Sequence, residues 1–568
     1  MEKEYSIHWL EEAKKKIIER NAGQITLSTG KTPSGHIHLG ILREILICDA
    51  LKRLLENDKN IVRAYLFLDD FDAAKRFPAY IDKRFQKDHL GKPFALIPCP
   101  FKECECESYA HHFGTELIST FKEFGIENEI IWSYQLYKKK EMQNKIKISL
   151  EKVEQIKEIL KKYILPTLDE QKKKEFLNLQ KTWLPVMVLC EKCGKLQTIN
   201  SDGSIIPNRA ISYNIDREEV FYRCVSCGNS GSISIYSGNL KLNWRIDWPA
   251  KWSLFKTTFE PAGKDHAVKG GAYDTGIEIC QKIFNYDGPI KLPYEWLRLG
   301  DYDMKTSKGI VFTPKKYLEM AHPEIFRMLI LRTNPMKHIS LRIEELPQYY
   351  DAYEKLENIF FNQEKLASEK EIEFSKYLYP LTRIDNVPEK KPIRIPFKLL
   401  IFLAQIQNIL NIEKLYKKAR EAMGNPKTFI SMEDFRNQLN KVENWLEELQ
   451  IILSESKDIH KKNEILRKIS IFSVPEKLNG KILEKLSEEQ QKGLLIFKEF
   501  LLSKENLEPD EIQNKIFKIA KEDLNISPRK LFEAIYLIIL GKKSGPRLGP
   551  FLSLLERDWL INRFNLIK

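Results

Sequence analysis

Two apolar segments near the start of the chain have the composition of buried β-strands. Residues 25–30 read ITLSTG and residues 61–70 read IVRAYLFLDD. Between them a turn-rich stretch, TPSGHIHLG, leads into a segment whose apolar residues recur at helical spacing. These residues are Ile41, Ile45, Cys48, Leu51 and Leu55. The order of strand, helix and strand predicts a parallel sheet whose ligands bind beyond the carboxyl ends of its strands.

The pattern changes between residues 91 and 240, which we interpret as an insertion into the sheet. Apolar residues repeat at helical spacing from Ile146 to Ile164, with lysines around them, and this predicts an amphipathic helix. Its lysines fit either a hydrated helix face or an RNA contact. Sheet-like sequence resumes with KLNWRIDWPAKW at 241–252 and continues to about residue 300.

The remainder of the chain has helical periodicity and few prolines. We therefore expect a split α/β domain followed by a helical domain. The predicted ranges are 1–90 and 241–300 for the two halves of the α/β domain, 91–240 for the insertion, 301–360 for a connecting helical domain and 361–568 for the final helical domain.

Composition is that of a globular protein, with 43% hydrophobic and 30% charged residues. The N-terminus is charged and amphipathic, and no apolar run reaches about 18 residues, so we expect a cytoplasmic protein with no membrane segment. The formal net charge of +13 suits a polyanionic partner such as a nucleic acid. Lysine faces that only bind water would give the same net charge.

Four cysteines have the spacing of a zinc site. Cys190 and Cys193, then Cys224 and Cys227, each form a C-x-x-C-G knuckle, and four thiolates suit tetrahedral zinc. The spacer of residues 194–223 predicts a hairpin or small subdomain between the knuckles. The alternatives are four unrelated buried cysteines or a disulfide pair, which a reducing compartment disfavours.

A second, less regular group is a further candidate metal site. Cys99, Cys104, Cys106 and His112 provide three sulfurs and one imidazole. His111 competes with His112 as the nitrogen ligand, and Cys99 or Cys104 fits a packing role equally well. We expect one structural zinc ion and leave the second open.

Two segments are candidates for binding nucleotide phosphates. In PSGHIHLG, residues 33–40, small residues let the backbone approach a nucleotide, and His38 can donate to the α-phosphate. In DMKTSKG, residues 303–309, Lys305 and Lys308 can neutralise departing pyrophosphate. Taken alone, each segment also fits an ordinary tight turn.

PSGHIHLG and MKTSKG resemble the two signature segments of class I aminoacyl-tRNA synthetases, and the chain between and beyond them resembles class I lysyl-tRNA synthetase. The matching stretches are Leu27 to Arg43, Asp69 to Asp72, Glu107 to Ala110, Trp244 to Pro249, Glu260 to Gly276 and the closing SPRKLFEAIYLIILGKKSGPRLGPFL. The resemblance implies a Rossmann-like parallel-sheet catalytic domain with a zinc-binding insertion, followed by an all-α anticodon-binding domain. It also implies that lysine and ATP with Mg²⁺ form lysyl-adenylate, and that tRNA(Lys) receives the lysyl group.

The resemblance also implies roles for individual residues. The implied catalytic residues are His38, Lys305 and Lys308. The implied ATP contacts are Pro33, Gly35, His38, Gly40, Gly263, Asp265 and Lys308. The implied amino-acid contacts are Gly30, Thr32, Trp244, Asp247 and His266. A carboxylate such as Asp247 can pair with a substrate ammonium, although a structural ion pair on a half-buried strand also explains Asp247 and Trp244.

Three residues depart from the family pattern. Ile41 stands where the first signature usually ends in His or Asn, so one nucleotide contact is missing. Asp303 stands where the second usually opens with Lys, and Lys305 replaces a small residue. Ile41 and Asp303 leave a catalytically silent relative that binds RNA as one alternative. Two others stay open: the same scaffold charging another amino acid such as glutamate, and a zinc-dependent nucleic-acid-binding protein without an ATP site.

In the final helical region, Lys542, Lys543 and Arg547 belong to a cationic turn, GKKSGPRLG, that can contact RNA phosphates. A helix cap with an ordinary turn is the alternative. The resemblance implies a helical anticodon-binding cage here. The sequence does not predict an oligomeric state.

Overall fold

The computed structural model describes residues 8–20, 23–300, 302–303, 311–455, 458–469, 471–478, 480–504 and 508–567. The chain divides into two compact units. The first consists of Met1–Leu318, His322–Arg342 and Lys355–Glu389, and the second of Glu319–Ala321, Ile343–Glu354 and Lys390–Lys568. Within the described ranges, no helix is both long and apolar enough to cross a membrane.

The strands of the described residues all lie in the first unit. They are β1 (Ile25–Lys31), β2 (Val62–Leu68), β3 (Glu129–Trp132), β4 (Val186–Val188), β5 (Gln197–Ile199), β6 (Ile205–Pro207), β7 (Ala210–Asn214), β8 (Glu219–Arg223), β9 (Ser230–Ser234), β10 (Leu240–Leu242), β11 (Phe259–Gly263), β12 (Ile290–Tyr294), β13 (Leu297–Leu299), β14 (Tyr302–Asp303) and β15 (Ile339–Leu341). A five-stranded parallel sheet has the order β12-β11-β1-β2-β3. The predicted parallel sheet and the α/β class are confirmed.

Helices cover the sheet and build the rest of the first unit. They are α1 (Trp9–Glu19), α2 (Leu42–Asn57), α3 (Lys83–His89), α4 (Tyr109–Ile118), α5 (Phe121–Phe124), α6 (Ser133–Tyr137), α7 (Lys140–Glu151), α8 (Val153–Ile164), α9 (Glu170–Thr182), α10 (Trp244–Phe255), α11 (Lys264–Ala267), α12 (Ala272–Phe284), α13 (Pro314–Leu318) and α14 (Pro323–Leu331). Helix α15 (Leu346–Phe360) runs from the second unit into the first and is followed by α16 (Glu369–Thr382). Helix α2 follows the signature turn, and its residues from Leu42 to Leu51 are buried.

The boundaries of the sheet differ from the predicted ranges. Strand β3 pairs in parallel with β2, although it lies inside the range 91–240 that we assigned to the insertion. The first half of the sheet therefore continues to Trp132. After the insertion, the sheet-like interpretation of residues 241–252 is wrong from Trp244 onward, because Asn243 caps a helix there through its side chain. The alternation of Trp244, Ile246 and Trp248 fits a strand, but the cap starts α10 instead.

The boundary at residue 361 also differs, because α16 belongs to the first unit. The buried guanidinium of Arg327 on α14 donates to the carbonyl oxygen of Leu381 at 2.7 Å and to Asp49 on α2 at 2.6 Å. It also donates to the carbonyl oxygen of Phe124 at 3.0 Å. A buried guanidinium needs these acceptors, so it ties α16 to the α/β unit.

The second unit is helical, as predicted. Its helices are α17 (Phe397–Ala404), α18 (Ile412–Ala422), α19 (Met432–Glu455), α20 (Ile459–Lys468), α21 (Glu488–Leu502), α22 (Pro509–Lys518), α23 (Pro528–Leu540), α24 (Leu548–Leu554) and α25 (Arg557–Phe564). Trp445 on α19 is fully buried, and its indole N–H donates to the carbonyl oxygen of Ile343 at 2.8 Å.

Candidate active site

A cleft of about 940 Å³ opens at the carboxyl ends of the central parallel strands. Gly30 stands near the end of β1, Asp69 directly follows β2, and Gly263 ends β11. All three residues line the cleft. This is the edge of a parallel sheet where ligands bind, because the chain turns there into helices and loops.

The signature turn forms one wall of this cleft. His38, Gly40 and Ile41 line it, whereas Pro33 and Gly35 are buried beside it and do not. Two residues of α4 hold the turn from behind: the Tyr109 hydroxyl donates to the carbonyl oxygen of Ser34 at 3.0 Å, and Glu116 lies 2.7 Å from Nδ1 of His36.

The ring of His38 is held by its own turn. Its Nδ1 accepts a hydrogen bond from the backbone N–H of Gly40 at 3.1 Å. Burial, together with the nearby charge of Lys31, lowers the pKa of His38 to about 3. The ring is therefore neutral at physiological pH, with Nε2 as its donor.

Four of the predicted amino-acid contacts come from two parts of the chain that meet in this cleft. Gly30 stands near the end of β1 and Thr32 directly follows that strand, while Trp244 and Asp247 stand on the first turn of α10. His266, on α11, packs against Trp244 with their ring centroids 5.9 Å apart. Gly263 and Asp265, two predicted ATP contacts, also line the cleft.

Asp247 forms ion pairs, as one alternative from the sequence suggested, but it stands on helix α10 and not on a strand. Its carboxylate accepts from the Tyr137 hydroxyl at 2.6 Å and lies 2.9 Å from Nζ of Lys251 and 3.7 Å from Nζ of Lys241. Burial acts to raise the pKa of Asp247, but the two lysines outweigh it and hold the pKa below its usual value.

Two further buried carboxylates line the cleft. Glu260 on β11 accepts from the indole N–H groups of Trp248 and Trp252, at 2.6 and 2.8 Å. Glu44 on α2 accepts from the hydroxyl of Tyr294. Burial raises the pKa of Glu260 to about 7 and the pKa of Glu44 to about 8, and it is the largest cause in each case.

These two glutamates, with Asp72, Lys241, Lys251 and Tyr294, are cleft residues that the sequence analysis missed. One signal was available for Asp72, because Asp69, Asp70 and Asp72 come directly after a buried strand, where a parallel sheet binds its ligands. No comparable pattern marks the two lysines, since buried and exposed lysines look alike in a sequence.

The second predicted signature falls mostly outside the described residues. Lys305 and Lys308 lie there, and of Asp303 the structure describes the backbone, which pairs in β14 with Arg298 of β13. Just after this segment, the carbonyl oxygen of Phe312 accepts from the backbone N–H of Leu39 at 2.7 Å. The chain following the second signature thus contacts the residue next to His38.

The four cysteines with knuckle spacing come together. The sulfur atoms of Cys190, Cys193, Cys224 and Cys227 all lie within 4.8 Å of one another, with two separations of 3.6 Å. Zinc–sulfur bonds of about 2.3 Å give a tetrahedron with edges of about 3.8 Å, so the group fits such an ion. We call residues 186–242, from β4 to β10, the cysteine ribbon.

The second group comes together in part. Cys99, Cys104 and His112 lie within 4.8 Å of one another, whereas Cys106 is outside this set. Nδ1 of His112 is 3.2 Å from the sulfur of Cys104. The competing His111 packs against Trp132 instead, with ring centroids 5.3 Å apart. Three ligand atoms could hold a metal ion.

The predicted RNA contacts lie in the second unit. Lys542 and Lys543 follow α23 after the left-handed Gly541, and Arg547 caps α24. All three residues are exposed. The segment is thus a turn between two helix caps, and its cationic side chains are exposed. Both an RNA contact and an ordinary cap with a turn are compatible with this geometry.

Comparisons with known proteins match both units. The family model of tRNA synthetases class I (K) matches residues 7–380, and that of an anticodon binding domain matches residues 414–567. A lysine-tRNA ligase of Methanocaldococcus jannaschii is 36% identical over 99% of this chain and 100% of its own. One of Archaeoglobus fulgidus is 33% identical over 98% and 99%. A solved glutamate tRNA ligase of Elizabethkingia meningosepticum covers 95% of this chain and 98% of its own, with a TM-score of 0.39 at 11% identity.

Proposed function

This chain belongs to the class I (K) tRNA synthetase family, and from that premise we propose that it activates lysine with ATP and transfers the lysyl group to transfer RNA. The observation that supports this most directly is one cleft lined both by the His38 turn and by Thr32, Trp244, Asp247 and His266. A nucleotide and an amino acid must meet in such a space for a carboxylate to attack a phosphate.

In the activation step, a carboxylate oxygen of lysine forms a bond to the α-phosphorus of ATP, and the bond to the β-phosphate breaks to release pyrophosphate. We assign the ATP side to Gly40, Gly263, Asp265 and His38. The neutral ring of His38 donates from Nε2 to an α-phosphate oxygen as charge develops there. ATP enters with Mg²⁺ as its counter-ion. Pro33 and Gly35 act indirectly in this assignment, because they shape the turn from behind.

We assign the departing pyrophosphate to Lys308, with Lys305 as its partner. The bond between Leu39 and Phe312 supports this assignment, because it brings the end of that segment to the signature turn. The residue at position 41 is a buried isoleucine, 7% exposed, so this chain makes no polar contact to the nucleotide from that position.

For the amino acid, we assign recognition to Gly30, Thr32, Trp244, Asp247 and His266. Asp69, Asp72 and Asp247 line the cleft together with Lys241 and Lys251. A carboxylate such as Asp247 can pair with an ammonium group of lysine.

We propose that the cysteine ribbon holds one zinc ion through Cys190, Cys193, Cys224 and Cys227. The ion would fix the fold of the ribbon, since four protein ligands leave no open position for a substrate. Cys99, Cys104 and His112 would hold a second ion, with Cys106 as the nearest further sulfur. Reduced thiols at both groups favour a cytoplasmic location.

We propose that transfer RNA contacts the second unit, through Lys542, Lys543 and Arg547. Their positive charge is exposed and would displace counter-ions from the RNA backbone. The terminal ribose hydroxyl then attacks the lysyl-adenylate carbonyl, and AMP leaves.

The proposed function is tested by ATP–pyrophosphate exchange against all twenty amino acids, with transfer RNA and Mg²⁺ present in every reaction. We expect exchange with lysine alone and its loss in His38→Ala. Exchange with glutamate would mean a different specificity. Tight transfer RNA binding without exchange for any amino acid would identify a catalytically silent relative.

A further inference from the structure

The cysteine ribbon supplies several residues to the wall of the cleft, and one of them is a fully enclosed lysine. Lys241 lies in the short strand β10 and is 1% exposed. A buried ammonium group is strongly disfavoured unless carboxylates surround it. The carboxylates that surround Lys241 therefore explain how a lysine can be buried at this position.

Two carboxylates meet Lys241, and both line the cleft. Its Nζ lies 3.0 Å from Oδ1 of Asp72 and 3.7 Å from Oδ2 of Asp247. Burial acts to lower the pKa of Lys241, but these carboxylates outweigh burial and hold the pKa above its usual value. The group is thus a permanent cation inside the cleft wall.

Asp72 uses its other oxygen to hold Thr32, which directly precedes the signature turn. Its Oδ2 accepts a hydrogen bond from the hydroxyl of Thr32 at 2.8 Å. The carboxylate of Asp72 therefore bridges the buried ammonium of Lys241 and a residue that we assign to the amino acid. Without Lys241, the half-exposed carboxylate would gain more by turning to water than by keeping this bond.

We propose that Lys241 is a positioning residue for the amino-acid subsite, because it orients Asp72 and, through Asp72, the hydroxyl of Thr32. This inference rests on the proposed function, in which Thr32 contacts the amino acid. It gives the cysteine ribbon a role in the chemistry of a cleft built mainly by the parallel sheet.

The ribbon sets the position of Lys241 by backbone pairing. Strand β10 pairs antiparallel with β4, and Lys241 stands opposite Met187. Cys190 follows β4 after one intervening residue, Leu189, whose N–H donates to the carbonyl oxygen of Asn239 at 2.8 Å. The strand that carries Lys241 is therefore anchored directly beside the first cysteine knuckle.

The test compares Lys241→Met with the double variant Asp72→Asn/Lys241→Met. Methionine keeps the volume of the side chain and removes its charge. Asparagine needs no cation beside it, and its amide oxygen can still accept from Thr32. Lys157→Met is the matched control, since Lys157 is a buried, ion-paired lysine on α8, outside the cleft lining.

For Lys241→Met we expect KM for lysine to rise about tenfold, the size of one lost charge-assisted hydrogen bond, with KM for ATP changed less than twofold. The double variant should recover most of this loss, and Lys157→Met should leave both KM values unchanged. An unchanged KM for lysine in Lys241→Met would overturn the inference, as would a rise that Asp72→Asn does not reverse. A wild type that shows no exchange with any amino acid would count against the proposed function instead.

If Lys241→Met does not fold, Asp72→Ala tests the link between Asp72 and Thr32 while Lys241 stays in place. We expect Asp72→Ala to raise KM for lysine as Thr32→Val does, and the two changes together to give no more than either alone. Additive effects would show that Asp72 does not act through Thr32, and the inference would fall.

Discussion

Nδ1 of His38 accepts a hydrogen bond from the backbone N–H of Gly40, two residues further along the same turn, at 3.1 Å. This bond fixes both the orientation and the tautomer of the ring, because a nitrogen that accepts cannot carry the proton. With the pKa of His38 lowered to about 3 by burial and then by Lys31, the ring stays neutral over the physiological range. Its Nε2–H group is thus oriented before any substrate arrives.

Replacing His38 by alanine should lower kcat for adenylate formation by about 10² to 10³, the usual effect of losing one preoriented donor to a developing charge. KM for lysine should change little, because the ring acts on the phosphate. Single-turnover formation of lysyl-adenylate measures this step. His38→Asn, which keeps an N–H donor, should be less impaired, and His89→Ala on α3 serves as the control. An equal loss in His38→Asn and His38→Ala would argue that the ring is needed for packing only.

Local patterns in the sequence predicted the parts of the molecule that depend on neighbouring residues. The knuckles around Cys190 and Cys224 are such a case, since Gly194 and Gly228 adopt the left-handed conformations that close each turn. The turn at His38 and the helix after it are another. In each case the residues that determine the structure are within a few positions of one another.

The remaining features depend on contacts between distant residues. Lys241 and Asp72 are far apart in the chain, and nothing around either residue indicates that their charges meet in a cleft wall. Strand β3 lies inside the range that we assigned to the insertion with both cysteine groups, and its place in the sheet comes from pairing with β2. The helix at Trp244 was missed because the apolar residues of WRIDW alternate as in a strand. The helix begins there because the side chain of Asn243 accepts a hydrogen bond from the backbone N–H of Arg245.

Changing Cys190 to serine should reduce the zinc content of the purified protein by one ion per chain. The cysteine ribbon should then become more sensitive to proteolysis between residues 186 and 242, because the ion no longer holds its two knuckles together. Metal analysis and limited proteolysis measure the two effects. Cys280→Ala is the control, since Cys280 is buried on α12 and lies outside both clusters.

Cys99→Ser tests the second cluster separately. If Cys99, Cys104 and His112 hold an ion, this variant should lose one ion while the ribbon keeps its own. A zinc content that is the same in Cys99→Ser and wild type would restrict the metal to the ribbon. A wild type purified with fewer than one ion per chain would contradict both assignments.

Replacing Lys542, Lys543 and Arg547 together by alanine should raise KM for transfer RNA and leave exchange kinetics at saturating transfer RNA unchanged. The slope of log affinity against log salt should also become shallower by about 1 for each phosphate that is no longer neutralised. Filter binding at several salt concentrations measures that slope. Lys398→Ala is the matched control, because this exposed lysine is paired with Asp351 at 2.6 Å. An unchanged slope in the triple variant would place the RNA contacts elsewhere.

Glu44 should make the protein less stable as pH rises from 6.5 to 8. Burial raises the pKa of Glu44 from its usual value of 4.5 to about 8, so in this window the unfolded chain has released a proton that the folded chain still holds. The free energy of unfolding then falls by about 1.4 kcal/mol per pH unit, or about 2 kcal/mol over the window, and levels off above pH 8. His38 acts in the opposite direction and only weakly here, because its usual pKa is 6.5 and its folded pKa is about 3, so the unfolded chain releases only about half a proton from this site above pH 6.5.

Glu44→Gln removes this titration while the amide oxygen can still accept from the hydroxyl of Tyr294. The variant should therefore lose less stability than wild type between pH 6.5 and 8, by up to about 2 kcal/mol. Urea unfolding at the two pH values, followed by tryptophan fluorescence, gives the difference. Glu260, whose pKa is raised to about 7 by burial, titrates in both proteins and cancels in the comparison. Parallel pH dependence of the two proteins would mean that Glu44 is already ionised in the folded state, and that the cleft holds one more negative charge at neutral pH.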